Sequence, residues 1–208
     1  MALVKLNNNG VKNATAFGSI TGLGSMVFIK KLTASSSATL SFVGGASGVV
    51  LDNTYKEYFF TFKNIHSSGN DTSAKFQFNV SIDGGSYYNV AKTTTFFSTY
   101  NGEDGNDPEL AYRQNDDLAQ GTGFQNLTNN GNNANDGNLG GTLHLFNPSS
   151  TTFVKHFIAV INTMHSQPAS VNSYIGGYAN TTSAVNAVQF KFISGTIDAG
   201  DICLYGIA

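Results

Sequence analysis

The sequence predicts an all-β chain: an antiparallel β-sandwich, jelly-roll-like, with a long Asn/Gly-rich loop insertion. Three observations lead there. About ten short apolar or alternating runs are punctuated by clusters of Gly, Asn, Asp and Ser. Hardly any stretch carries the 3.6-residue apolar period of a helix. The clearest run, Ala74 to Ile82, sets Phe76, Phe78, Val80 and Ile82 against Lys75, Gln77, Asn79 and Ser81 in strict alternation. A length of 208 residues suits one sandwich domain, and no fixed repeat period points to a solenoid.

Taken in chain order, residues 1–25 scatter single apolar residues among Asn, Gly, Ser and Thr and read as an extended N-terminal arm. Residues 26–208 read as the sandwich. Met26–Leu32, Ala38–Val43 and Gly48–Leu51 are short apolar runs, and Glu57–Ile65 is aromatic-rich, as half-buried strands are. Lys75, Gln77, Asn79 and Ser81 belong on a solvent face. Asp83-Gly84-Gly85-Ser86 is a hairpin turn signal, with Tyr87–Val90 as the returning strand. Thr93–Tyr100 follows. Residues 101–141 break the rhythm as a loop excursion: a loop at 101–108, a short helix within 109–119, and an Asn/Gly stretch at 121–141. Strands resume at 142–146 and 152–161. Tyr174-Ile175 precedes a Gly176-Gly177 break. The chain closes on two strands around a Gly-rich turn, 187–193 and 202–207, with Phe190, Phe192, Ile202 and Leu204 as buried positions.

Composition bounds the partners. Charged residues make up 12% of the chain and the net charge is −2, against about 25% charged in ordinary domains. Arg113 is the lone arginine and the lysines are scattered, which argues against nucleic acid, whose phosphates demand clustered cations. No apolar run reaches the ~18 residues of a membrane span, and Met1–Leu6 is too short for a leader's apolar region. A soluble product of the cytoplasm is expected. Cys203, the sole cysteine, sits in an apolar run as a small buried hydrophobe.

No motif for catalysis, cofactor or metal is legible. The acids fall in turns and loops, where a hydrolase's rigid carboxylate pair is poorly held; Glu103 and Asp104 are the pair to test. Glu103, Asp104, Asp107, Glu109, Asp116 and Asp117 lack the order of a calcium loop. His144 and His156 flank one turn and could approach across a ladder, yet two histidines do not make a zinc site. For ligand contact, exposed aromatics near the 101–141 region stand out: Tyr100, Tyr112 and Phe124 form the candidate interaction surface.

Several stretches resemble one group of proteins. The opening Met1-Ala2-Leu3-Val4-Lys5-Leu6-Asn7 and the closing Phe190-x-Phe192-x-Ser194-Gly195-x-Ile197-x-Ala199-Gly200, then Leu204-Tyr205-Gly206-Ile207, resemble small virion proteins of marine tailed bacteriophages, cyanophage-like. Phe146–Phe153 and Tyr178–Thr182 do so as well. These motifs cover about a fifth of the chain and are strand and turn motifs, so no functional residue is carried over. Asp201-Ile202-Cys203 departs from the pattern. The resemblance implies a non-enzymatic virion structural protein, a decoration or fibre type, commonly trimeric. A capsid-decorating or head-surface homotrimer is therefore expected, with other virion proteins such as the major capsid protein as partners. The alternative is a tail-fibre or receptor-binding module recognising host surface glycan through the 101–141 region.

Overall fold

The computed structural model describes residues 26–207, so the expected arm at 1–25 lies outside the described residues. Twelve strands are present: β1 (Met26–Thr33), β2 (Leu40–Val43), β3 (Glu57–Ser67), β4 (Phe76–Ser81), β5 (Lys92–Gly102), β6 (Glu109–Tyr112), β7 (Gln125–Asn126), β8 (Leu139–Phe146), β9 (Lys155–Met164), β10 (Ala169–Ala179), β11 (Ala187–Phe192) and β12 (Ile197–Ile207). Among the described residues the one helical element is a 3₁₀ turn at Asp71–Ala74, and no helix is long and apolar enough to cross a membrane.

All pairings are antiparallel, in two sheets: β1-β12-β3-β8-β9-β10-β5-β6 and β2-β11-β4-β7. The pairs β1–β12, β2–β11, β3–β8 and β4–β7 nest inside one another along the chain. That nesting is a single long ribbon folded across itself, which is the jelly-roll path. Two hairpin-like additions widen one sheet only. β9 and β10 lie between β8 and β11 in sequence, β5 and β6 between β4 and β7, and both pairs extend the large sheet beyond the small one.

Phenylalanines hold the sheets together. Phe60 and Phe62 of β3 meet Phe190 of β11 at 5.3 and 5.2 Å between ring centroids, and Phe78 of β4 meets Phe157 of β9 at 4.8 Å, all near edge-to-face. Phe190, Phe192, Ile202 and Leu204 are buried, as the period-two pattern predicts.

Several expectations are corrected. The two final strands do not pair: β11 belongs to the small sheet and β12 to the large one, between β1 and β3. Residues 87–90 form no strand; β4 is flanked by β11 and β7 instead. Gln77, Asn79 and Ser81 are buried and Ile82 is exposed. The segments after β4 fold back over its second face: Asn79 Nδ2 donates to the carbonyls of Tyr88, Thr122 and Gly123, and Gln77 Nε2 donates to Asn126 Oδ1. Those bonds satisfy polar groups that would otherwise be costly to bury. Residues 48–51 are loop that buries Val49 and Leu51, and 109–112 is the edge strand β6, not helix. The Asn/Gly stretch is mostly loop, yet it packs on the domain, supplying β7 and the fully buried Leu127. Gly176 and Gly177 do not break the strand. β10 runs through them, and a Cβ on Gly177 would sit 2.6 Å from Thr94 Cγ2 of β5. The glycine permits a close approach of two strands.

Candidate functional site

Every strand of the large sheet turns one set of side chains away from the core, and on this sheet that set holds two partial rows of aromatic and aliphatic side chains among uncharged polar ones such as Thr95, Thr99, Thr142, Asn162, Ser170 and Asn172. A row of rings crosses four strands: Phe28 of β1 on Tyr205 of β12 (5.6 Å), Tyr205 on Phe59 of β3 (6.3 Å), and Phe59 on His144 of β8 (4.5 Å), which stacks beside Phe146. His144 lies opposite Ile158 of β9. One row over, Val160 pairs with Tyr174 of β10, Tyr174 stacks on Phe97 of β5 at 5.0 Å, and Phe97 faces Tyr112 of β6. Exposures are large: Phe28 57%, Ile158 51%, Phe97 42%, Tyr112 56%. The outward positions of β8, β9, β10, β5 and β6 hold no Asp, Glu, Lys or Arg. Charge enters only on the β1-β12-β3 side, as Lys31 paired with Asp201, Lys63, and Glu57 bound to His144 Nδ1.

The three aromatics singled out from sequence are not brought together. Tyr100 pairs with Glu109 and Tyr112 with Phe97, and the odd spacing along β5 puts Tyr100 and Tyr112 on opposite faces of the sheet. Tyr112 donates its hydroxyl to Asp117, a bond that raises the phenol's pKa. Phe124 lies under the Lys191 ammonium, 4.8 Å from its ring centroid.

Tyr100 instead forms the wall of a polar cleft of about 530 Å³, where the large sheet overhangs the small one. Its ring is edge-on to His165 at 5.6 Å. Arg113 is fixed by Nε donating to Ser98 Oγ (2.8 Å) and Nη2 to Glu109 Oε2 (2.6 Å). His165 Nδ1 accepts the Gln167 backbone N–H, leaving the ring proton on Nε2, and burial lowers its pKa so that the neutral form is favoured. Asn129 lines the same cleft, and its Oδ1 is buried without a partner among the described residues. A second hollow of about 310 Å³ adjoins it, sharing Tyr100, Asp107 and Gln167 and adding Glu103 and Asp104.

The acids of 103–117 do not gather as one set: Glu103, Asp104, Asp107 and Glu109 border the two hollows, while Asp116 and Asp117 lie elsewhere. Asp116 is buried against Lys75 (2.5 Å) and Asn126, Asp117 accepts from Tyr112, and Asp104 accepts from the backbone and side chain of Asn106, which lowers its pKa. Among the described residues no three His, Cys, Asp or Glu converge as metal ligands. His144 and His156 do not approach each other; His144 takes Glu57 and Phe59, while His156 packs on Tyr178.

Sequence reasoning missed two fully buried lysines. Lys92 and Lys155 flank Ala179 in one row across β5, β10 and β9. Lys92 Nζ donates to Asn79 Oδ1 (2.5 Å) and the Val90 carbonyl (2.7 Å); Lys155 Nζ donates to the carbonyls of Phe153 (2.7 Å) and Thr181 (2.9 Å). Burial pushes Lys92 down to about 7 and lowers Lys155 as well. The signal was available: Lys155 keeps phase with Phe157, Ala159 and Ile161, all inward.

No protein-family model matches the chain, and comparison with curated proteins and with solved structures returned no match.

Proposed function

We propose that this chain is a non-enzymatic structural subunit of a tailed-phage virion, a capsid-decorating or head-surface protein that assembles with copies of itself. The observation that carries the reading is the outer face of the large sheet, with its exposed rows of aromatic and aliphatic side chains and no charge over five strands. Eight strands at ~4.8 Å and three outward rows give the face roughly 750 Å², of which the two aromatic and aliphatic rows cover on the order of 300 Å². Apolar patches of this size on a protein surface are often functional, and the uncharged polar side chains around the rows extend the face toward the ~800 Å² per partner of a standard interface. The absence of charge over five strands lets the face be buried without desolvating ions. The resemblance of the strand and turn motifs to marine phage virion proteins supplies the setting and the homotrimer as the expected unit. The engagement of Glu109 by Arg113 and of Asp104 by Asn106 weighs against a hydrolytic role for the loop acids.

Light scattering of the purified chain across concentration tests the assembly. An oligomer is expected, converted to monomer by Ile158→Lys; a stable wild-type monomer overturns self-association through this face. Imaging of labelled virions tests the location. Density over the shell is expected, and density on the tail tip with none on the shell overturns the head assignment.

A further inference from the structure

The cleft beside Tyr100 is unrelated to that outer face and differs from it in character. It lies on the inward side of β5 and β6, where the four-stranded sheet no longer reaches. Its wall is one half-buried ring; most of the rest is planar polar groups, of which Arg113 and His165 are held by hydrogen bonds. The Arg113 bonds to Ser98 and Glu109 leave Nη1 without a partner among the described residues. His165 presents a neutral ring with its proton on Nε2. The Gln167 side-chain amide and the Asp107 carboxylate form no hydrogen bond to another described residue, and Asn129 borders the hollow with its Oδ1 buried. Donors and acceptors are thus interleaved within one hollow. A ligand that satisfies such a set must itself offer both at every position, as a hydroxyl does. The ring of Tyr100 suits the apolar face of a pyranose. Charge selects further: Glu103, Asp104, Asp107 and Glu109 border the two adjoining hollows, against Arg113 alone. Carboxylated or sulfated ligands are repelled. At about 530 and 310 Å³ the paired hollows fall within the size range of small-molecule sites.

We propose that this cleft binds a neutral, hydroxyl-rich saccharide, with Tyr100 as the ring wall and Arg113, Asp107 and Gln167 as hydroxyl partners. The site does not depend on assembly through the large sheet, so the Ile158→Lys monomer retains it.

The test screens the full chain on an array of neutral, uronic and sulfated oligosaccharides, then titrates the best neutral hit by saturation-transfer NMR. Gln167→Ala removes one hydroxyl partner from an exposed loop and is expected to weaken binding about five- to tenfold. Tyr100→Leu keeps the bulk of the wall and is expected to abolish the ring contact and most binding, with the far-UV circular dichroism and melting temperature of both variants establishing that they fold. No neutral hit from folded wild-type protein overturns the proposal. So does binding confined to anionic glycans, or neutral binding untouched by both variants. Loss of oligomerisation with saccharide binding intact counts against the assembly reading alone.

Discussion

Lys92 makes a prediction whose size follows from its surroundings. Its ammonium is fully buried, donates to one amide oxygen and one carbonyl, and meets no carboxylate among the described residues. The folded chain therefore sheds the proton near pH 7, whereas the unfolded chain keeps it to the ordinary 10.5. Between those values the unfolded state binds more protons, so stability rises with pH. Below about 7 both states are protonated and the native state bears the full cost; above 10.5 neither is, and the cost is gone. Lowering the pKa from 10.5 to about 7 corresponds to about 5 kcal/mol at most, and near 1.4 kcal/mol per pH unit through the middle of the window. Urea unfolding of wild type and Lys92→Met at pH 7, 8, 9 and 10 reads this directly. Wild-type stability is expected to climb across the series, and the variant's far less. The variant should match or exceed wild type at pH 7. At pH 10 it should fall below by about 1–3 kcal/mol, because the Val90 carbonyl has lost its donor. Lys155, shifted in the same direction, leaves the variant a residual slope of the same sign. A flat or falling wild-type series, or an equal rise in the variant, refutes the reasoning.

Three further outcomes are expected in the same unfolding assay. Asp116→Ala strands the Lys75 ammonium in a mostly buried position and removes an acceptor from Asn126, at a cost of about 3–5 kcal/mol; a loss below 1 kcal/mol would mean that water reaches Lys75. Gly206→Ala drives a methyl into the ring of Tyr55, which lies over this glycine, and should cost about 1–3 kcal/mol unless Tyr55 swings out, visible as a change in its fluorescence environment. Phe190→Ala empties the centre of the aromatic core, where Phe42, Phe60, Phe62 and Phe76 all touch it, and should cost about 3–5 kcal/mol; a smaller loss would show that those rings collapse into the space.

Period-two alternation made the burial of Phe190, Phe192, Ile202 and Leu204 legible, because a strand's inward residues must be apolar whichever strand lies alongside. It could not say that β11 and β12 belong to different sheets. That depends on partners far away in sequence, and Ser194-Gly195-Thr196 serves a sheet-to-sheet crossing as readily as a hairpin. Gln77 and Asn79 misled for a related reason. A polar residue opposite a buried one normally faces water, but here the Asn/Gly stretch brings carbonyls and amides to meet them, and its low hydrophobicity hid that role. Tyr100, marked in the sequence as a contact residue, lines the cleft, while its neighbours there were invisible. Arg113, Asn129 and His165 come from separate segments and converge only once β5, β6 and the following loops are in place.

The seat of β12 between β1 and β3 sets a schedule for making this protein. Lys31 and Asp201 are 170 residues apart, yet they belong to neighbouring strands. While the chain is being synthesised, β1 has no partner and β3 keeps an open edge until nearly the last described residue is available. Folding of such non-local sheets is slow, on the order of milliseconds to seconds. Through that interval the phenylalanine-rich strands are exposed together. Closure of the large sheet thus waits for β12, and a copy without it leaves β1 unpaired and one edge of β3 open.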